Sequence, residues 1–528
     1  MKMNFRLLLL CALLGLSSMA EARNFRWATQ GDAATLDPHS QNETFNNSIN
    51  ELVYEALATR GKNMEIVPLL ATSWSSPAPD KWIFKLRRGV KFHDGSPFTA
   101  DDVVFSFNRA RESAVAFRTY SNQAGIARKI DDYTVEFTTP VPNPVMADTV
   151  ASIYIMSKTW CEKNKVMKPQ DFTNKEETYA VRHAMGTGAY KLVIWDQGVK
   201  ILHEKNPDWW GIKEGLYEGN VDTIEYRPIA NAATRMAALK SGQVDFVLDP
   251  PVQDVLRLRE DRDLKVWQGS ENRIIFLGFD QGRNELLYSD VKGKNPFKDR
   301  RVRLALYQAI DINALKTQVM RGLSVPTAIA LQDPKNAAVP DSLEVRHPFD
   351  PAKAKQLLTE AGYANGFGFT LTCPNDRYIN DEKICVAVSA MWARIGLNVK
   401  VETMPKSQYF PRAEKQDVSA YMLGWGGGSS DPIFVLKPVM HSRDNKGNGA
   451  ANYGNAKNEE LDALIDKLEG EMNTAERQKM IAQAVRLMQD DVYVIPLHRQ
   501  VIPWVSRKDV FVVHRSGNTL NPIWVKVP

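Results

Sequence analysis

Alternating and helical hydrophobic patterns divide the chain into two regions. In the first, Trp82, Phe84 and Leu86 alternate with the lysines of Lys81-Trp82-Ile83-Phe84-Lys85-Leu86, the period of a half-buried strand. A turn at Arg88-Gly89 is followed by Val90-Lys91-Phe92, which resumes the strand, and Asp94-Gly95 turns again. Thr99 then caps a helix with Asp102 three residues on, and Val103, Val104, Phe107 and Ala110 make its inner face. Upstream, Phe25-Arg26-Trp27-Ala28 is a strand that runs through a polar loop to Asn42-Glu43-Thr44. A helix follows there, with Ile49, Val53 and Ala56-Leu57 on one face. Downstream, the strand Thr223-Ile224-Glu225-Tyr226, a helix capped by Asn231 and ended by Gly242, and the strand Val244-Asp245-Phe246-Val247 make a strand–helix–strand crossover.

The second region repeats this logic. Asp350-Pro351 supplies a cap and a first-turn proline, Ala354, Leu357, Leu358 and Ala361 the buried face, and Gly362 the stop. Phe367-Gly368-Phe369-Thr370-Leu371 predicts a strand. Ile384, Val388, Met391, Trp392 and Ile395 form a helical stripe ended by Gly396, and Leu397 to Val401 is the next strand. Each region predicts a mixed sheet of its own covered by helices. Ile274 to Phe279 joins the two regions, and Val492 to Leu497 precedes a last segment. Near the end of the second region, Gly424-Trp425-Gly426-Gly427-Gly428-Ser429-Ser430-Asp431-Pro432 lies between apolar Tyr421-Met422-Leu423 and Ile433-Phe434-Val435-Leu436. Three successive glycines let the main chain approach a guest closely and offer it N–H and C=O groups, or else mark a flexible turn beside a buried Trp.

Composition adds limits. A chain of 528 residues is too long for one core and implies at least two globular units. Hydrophobic content of 44% and charged content of 24% exclude a disordered chain. The 67 basic and 62 acidic residues are spread evenly, which argues against a nucleic-acid footprint. Lys2 and Arg6, the apolar run Leu7 to Leu16, and Ala20-Glu21-Ala22 read as a cleaved export signal, residues 1–22, with the mature chain starting near Arg23. That run is shorter than the ~20 residues of a membrane span. Cys11 follows Leu8-Leu9-Leu10 with no small residue before it, which argues against a lipid anchor. An exported chain permits disulfides, and Cys161, Cys373 and Cys385 remain. The last two sit at a strand end and in the first turn of the next helix, so a bridge is geometrically conceivable; separate buried thiols are the commoner arrangement.

Catalytic chemistry finds little support. The eight histidines never fall at metal-helix spacing and H-E-x-x-H is absent, so no zinc and no cofactor are implied. Gly427-Gly428-Ser429-Ser430-Asp431 lacks the closing glycine of G-x-S-x-G, and Gly186-Thr187-Gly188 fits neither a P-loop nor a dinucleotide fingerprint. An exported hydrolase built from distant residues is the alternative from another class, and a periplasmic chaperone or receptor partner a third.

Several stretches together resemble one family. Ala71-Thr72-Ser73-Trp74 and the run from Lys81 to Phe107 are similar to the signature of the peptide/nickel-type solute-binding proteins of ABC importers. Gly186 to Leu192, Asn206-Pro207-Asp208-Trp209-Trp210-Gly211, Asp299 to Ala305 and Tyr421 to Pro432 agree in the family's order, across essentially the whole mature chain. The resemblance implies an α/β, two-lobed periplasmic-binding-protein fold whose hinge is crossed twice. Lobe 1 would comprise residues 23–275 and 497–528, with an extra subdomain inserted at about 76–182, and lobe 2 residues 276–496. It also implies a monomer that captures a small-molecule or peptide ligand in the periplasm and hands it to permease subunits, with no membrane insertion after signal removal.

The resemblance places a ligand carboxylate at the arginine of a P-x-x-R segment, here Arg377 in Pro374-Asn375-Asp376-Arg377-Tyr378, and a guanidinium fork suits that partner. An interlobe or surface ion pair is the other use for such an arginine. Trp425 would wall the ligand, the backbone of Gly426, Gly427, Gly428 and Ser429 would hydrogen-bond it, Tyr378 would stand beside Arg377, and Asn42 and Glu43 would close from the opposite lobe. Peptide-binding relatives carry an aspartate for the peptide amine where this chain has Gly428. Either an acid from elsewhere, such as Glu43, replaces that charge, or the ligand has a carboxylate and no amine there; an opine or modified amino acid, a glycoside or a metal chelate is then the rival to a peptide or carboxylate-bearing, peptide-like solute, with dipeptides demoted.

Overall fold

The computed structural model describes residues 22–528 apart from 114–116, 173–175, 334, 336, 428, 430 and 445–447. The export segment through Glu21, with Cys11, and Gly428 of the glycine loop therefore lie outside the described residues.

Two long strands, Leu264–Phe279 and Ile495–Arg507, pair antiparallel along most of their length and carry the chain between its two halves. Instead of two separate sheets, the strands form one continuous ladder with this pair near its middle. From one edge the order runs Asn398–Met404, Gly368–Pro374, Ala420–Gly426, then the crossing pair, then Phe246–Val247, Asn24–Thr29, Thr223–Pro228, Lys200–Lys205 and Tyr190–Asp196. The reason is length: residues on both sides of Ile274 stay extended, so one strand serves both halves. Register shifts between Ser270 and Ile274 and between Ile275 and Phe276 mark where the ladder bends.

The strands flanking the crossing pair run antiparallel to it and parallel to their own outer neighbours. Gly368–Pro374 pairs with Asn398–Met404 and with Ala420–Gly426, while Asn24–Thr29 pairs with Thr223–Pro228 and Phe246–Val247. Such strands need helical crossovers and covered faces. Along Ile274 to Phe279 the side chains alternate accordingly. Ile275, Leu277 and Phe279 pack with Leu306, Leu358 and Trp392, whereas Ile274 and Phe276 pack with Tyr409, Ile465 and Ile481. The predicted stripe Ile384, Val388, Trp392 and Ile395 is core. In the other half, Phe25 and Trp27 share a core with Trp504 and Val525, so the C-terminal segment returns to the N-terminal strand.

A second sheet, ordered Ala71–Ala78, Lys81–Leu86, Thr134–Thr138 and Ile126–Asp131, is backed by the helix Ala100–Arg111, whose Thr99 and Asp102 form the predicted capping box. Val90 to Phe92 does not resume the strand; Lys91 makes only an isolated bridge to Pro97. This module is pinned to the loop after Thr29 by a buried pair. Arg109 donates to both oxygens of Asp37, at 2.8 and 2.6 Å, and neither side chain reaches solvent. Burial alone would raise the Asp37 carboxyl, but the Arg109 charge and hydrogen bonds outweigh it and hold it low.

The helix after Glu43 is shorter than its periodicity predicts, spanning Thr44–Asn50. Beyond it the Leu52 and Val53 carbonyls accept from Tyr190 and Gly188, a pairing that competes with further helix. Gly186 and Gly188 are required there, because a Cβ at either would fall within 2.1–2.6 Å of those carbonyl oxygens. The sequence-based preference for separate thiols is also corrected. Cys373 and Cys385 form a disulfide, since the strand end and the helix start bring their Cα atoms to 6.8 Å, while Cys161 stays free and buried. With a sequence separation of 12 between the cysteines, reduction or Cys385→Ser should cost about 3 kcal/mol, read as a lower urea midpoint.

Acid sensitivity follows from buried imidazoles. Burial pushes His39 and His93 down to about 4 and His203 and His498 to about 3. An unfolded histidine takes up its proton near 6.5, so the unfolded chain binds more protons and stability falls as pH drops from about 6.5 toward 4. Glu55 opposes this, because burial pushes its carboxyl up to about 7 and the folded state then holds one proton the unfolded state lacks. Burial also lowers His347 and His514 and raises Asp102, Asp249, Asp381 and Asp431, so six imidazoles are set against five carboxyls and the acid side remains the weaker one. The melting temperature should fall over that window, and His203→Leu should make the limb shallower by about one proton in a pH series of thermal melts.

Candidate functional site

The parallel strands of both halves end at one cleft of about 1220 Å³. Gln30 follows Asn24–Thr29, Asp376 and Arg377 follow Gly368–Pro374, and Gly427 follows Ala420–Gly426; all line it. Carboxyl ends of parallel strands are where open α/β sheets bind ligands, because the chain there leaves the sheet in loops.

Arg377 sits in the loop between Pro374 and the helix Asp381–Ala393. That loop is held at several points: the Cys373–Cys385 bridge spans it, and Asp381 accepts the backbone N–H groups of Arg377 and Tyr378 at 2.9 and 3.0 Å. Gln500, on a crossing strand, accepts the N–H of Ile379 at 3.0 Å. The Arg377 guanidinium itself makes no hydrogen bond or ion pair with any described residue, so the alternative of a structural ion pair is not realised. Solvent reaches it, yet enclosure by the cleft and then the neighbouring Arg273 charge lower its pKa. Tyr378 is not at the cleft surface. It is buried behind the wall, with its hydroxyl donating to the Gly424 carbonyl at 3.0 Å.

Trp425 lines the cleft with its indole N–H spent on the Phe434 carbonyl at 2.6 Å, which leaves a ring to serve as wall. The loop backbone is less free than its glycines suggest. Asn272, in the bulge of the crossing strand, donates to the carbonyls of Gly427 and Ser429 at 2.8 and 2.9 Å. At Gly426 an added Cβ would lie 2.6 Å from the Asn272 carbonyl, whereas at Gly427 it would meet nothing within 4 Å. Gly427 thus faces open cleft, and Gly426 is fixed by the protein's own packing.

On the other wall stand Asn42 and Glu43. Asn42 accepts from Asn47 at 2.9 Å, and Glu43 caps its helix by accepting the Asn46 N–H at 2.9 Å, leaving its second oxygen unspent. Ser429 reaches across: its hydroxyl donates to Asp148 at 2.9 Å, and Arg60 pairs with the same oxygen at 2.7 Å.

Residues not singled out from sequence therefore shape the site: Asn272, Arg273, Asp148 and Lys406. The readable signal for the first two was Glu271-Asn272-Arg273, three polar residues interrupting an apolar crossing strand. Asp148 and Lys406 carried no local signal; only the tertiary fold brings them to the cleft.

Comparison with known proteins fits this geometry. The family model for bacterial extracellular solute-binding proteins, family 5 Middle, matches residues 65–447. The chain belongs to that family. Family 5 proteins are solute-binding components of ABC importers, and this one is such a component. Heme-binding protein A of Haemophilus influenzae is 28% identical over 485 residues, covering 86% of this chain and 83% of its own. Glutathione-binding protein GsiB of Shigella flexneri is 26% identical over 510 residues, covering 94% and 91%. Among solved structures, HbpA2 from Haemophilus parasuis superposes with a TM-score of 0.79 at 23% identity, over 96% of this chain and 100% of that one, which shows the periplasmic-binding-protein fold.

The Ser429–Asp148 bond joins the two walls of the cleft. Ser429→Ala should remove about 1 kcal/mol from this contact, weakening ligand affinity roughly fivefold in titration calorimetry while leaving urea unfolding nearly unchanged.

Proposed function

We propose that this family 5 protein captures a small polar, carboxylate-bearing solute, peptide-like in character, by closing two lobes around the cleft, and delivers it to the permease of an ABC importer. The lobes are residues 23–275 with 497–528 and residues 276–496, and the inserted subdomain covers about 76–182. The protein acts as a monomer in the periplasm after cleavage near Ala22. Handover between closed and open forms is a hinge motion about the crossing strands.

One observation carries the reading: the Arg377 guanidinium stands in the cleft with no partner among the described residues, on a loop fixed at several points. An enclosed cation whose charge is opposed by a neighbouring arginine favours an anionic partner, and a guanidinium offers a carboxylate two parallel hydrogen bonds. Trp425 supplies an apolar wall, and Glu43 supplies an unspent carboxylate oxygen opposite for a cationic or hydroxyl group. The two curated relatives are named for haem and glutathione, molecules unlike in shape but alike in carrying carboxylates. That supports a carboxylate anchor more than any one ligand skeleton.

The test is a thermal-shift and calorimetric screen of glutathione, dipeptides, opines, glycosides and metal chelates, since a ligand that binds only the folded state raises the melting temperature. Arg377→Ala should cost about 2–5 kcal/mol of affinity for the selected solute and shift ligand-free stability by less than about 0.5 kcal/mol. Unchanged affinity removes the clamp, and consumption of the solute during the assay would point to the hydrolase alternative.

A further inference from the structure

We infer that Arg273 and Arg377 together form a twin guanidinium receptor for a ligand group bearing two negative charges, and that Gly424 and Gly426 are glycines because they seat it. This rests on Arg377 being the carboxylate anchor and names the class of anion it anchors.

Arg273 pairs with Gly426 across the ladder between the strands Leu264–Phe279 and Ala420–Gly426. A Cβ at position 426 would lie 3.0 Å from the Arg273 Cβ and 3.1 Å from its guanidinium carbon. The arginine is folded over a residue that has no side chain. Two residues earlier on the same strand, a Cβ at Gly424 would fall 2.5 Å from a ring carbon of Tyr378, so that ring is wedged against bare backbone and tethered to it through its hydroxyl. Both guanidinium carbons stand over this one ring, Arg273 at 5.9 Å and Arg377 at 5.3 Å from its centre. Cation–π attraction holds each.

Counting the charges shows what is missing. Arg273 spends only its Nε, on Glu271 at 3.1 Å, and the second oxygen of Glu271 is taken by Gln500 at 2.6 Å. Neither Nη of Arg273 donates to a described residue, nor does any nitrogen of the Arg377 guanidinium. Lys406 lines the same wall with no ion pair among the described residues, and the neighbouring Asp376 accepts the Lys406 backbone N–H at 2.6 Å. Two forks thus present unspent donor edges from one platform. Each matches one carboxylate, and their mutual repulsion inside an enclosed cleft is relieved only when anionic charge enters. A single carboxylate satisfies one fork; a dicarboxylate satisfies both.

The experiment compares wild type, Arg273→Ala, Arg377→Ala and Gly426→Ala against glutarate and succinate, with butyrate as the singly charged control, at matched ionic strength in thermal shift and calorimetry. Wild type should prefer the dianions, and Arg273→Ala should lower dianion affinity about thirtyfold while changing butyrate less than about threefold. Gly426→Ala should reproduce that loss by displacing the Arg273 side chain, with its ligand-free melt reporting whether the fold survives. An unchanged dianion-to-butyrate ratio in Arg273→Ala overturns the twin receptor while Arg377 stands as anchor. Full carboxylate affinity in Arg377→Ala overturns the anchor itself, and a wild type that ignores every carboxylate in the series overturns both.

Discussion

The antiparallel pairing of Leu264–Phe279 with Ile495–Arg507 is the constraint on which the molecule depends. It joins two sets of parallel strands into one ladder, fixes their order, and places the carboxyl ends of both sets at a common cleft. The same pair supplies site residues directly. Where the ladder shifts register, Glu271, Asn272 and Arg273 turn polar groups toward the glycine loop, and Gln500 of the partner strand ties both Glu271 and the Arg377 loop. Crossing strands and cleft wall are therefore built from the same few residues.

That economy explains why the loop at Trp425 differs from a free binding turn. Glycine serves two purposes within four residues. At Gly424 and Gly426 it yields space to Tyr378 and Arg273, while at Gly427 it leaves open cleft. The carbonyls that a sequence reading would offer to a ligand are satisfied by Asn272 instead. Side chains such as Arg377 are then the donors left facing the cleft, and a charged hydrogen bond is stronger than a neutral backbone contact.

Much of the fold was legible because its helices and strands obey local rules: the Thr99 capping box, the Pro351 start, the stripe from Ile384 to Ile395, and the stops at Gly242, Gly362 and Gly396. Arg377 and the glycine loop were legible through their resemblance to family motifs, and the structure brings them to one cleft with Asn42 and Glu43. What escaped was set by long-range contact. The helix after Glu43 stops early because Leu52 and Val53 pair with Tyr190 and Gly188, far along the chain. Tyr378 faces inward because Gly424 leaves it room. Asp148 meets Ser429 from across the cleft, and no periodicity encodes such a meeting. The continuous sheet was missed for the opposite reason: Ile274 to Phe279 looked like a linker, since its apolar run was read apart from the polar residues before it.

The bridge between Cys373 and Cys385 bears on when the site comes into being. Its two ends bracket the segment that presents Arg377, and thiols stay apart in a reducing cytosol but join in an oxidising compartment. Without the bridge that segment is held by hydrogen bonds only, among them those to Asp381, Gln500 and Gly424. Oxidation after translocation adds the covalent tie. Tightening of the cleft wall that carries Arg377 is in this way coupled to arrival in an oxidising compartment.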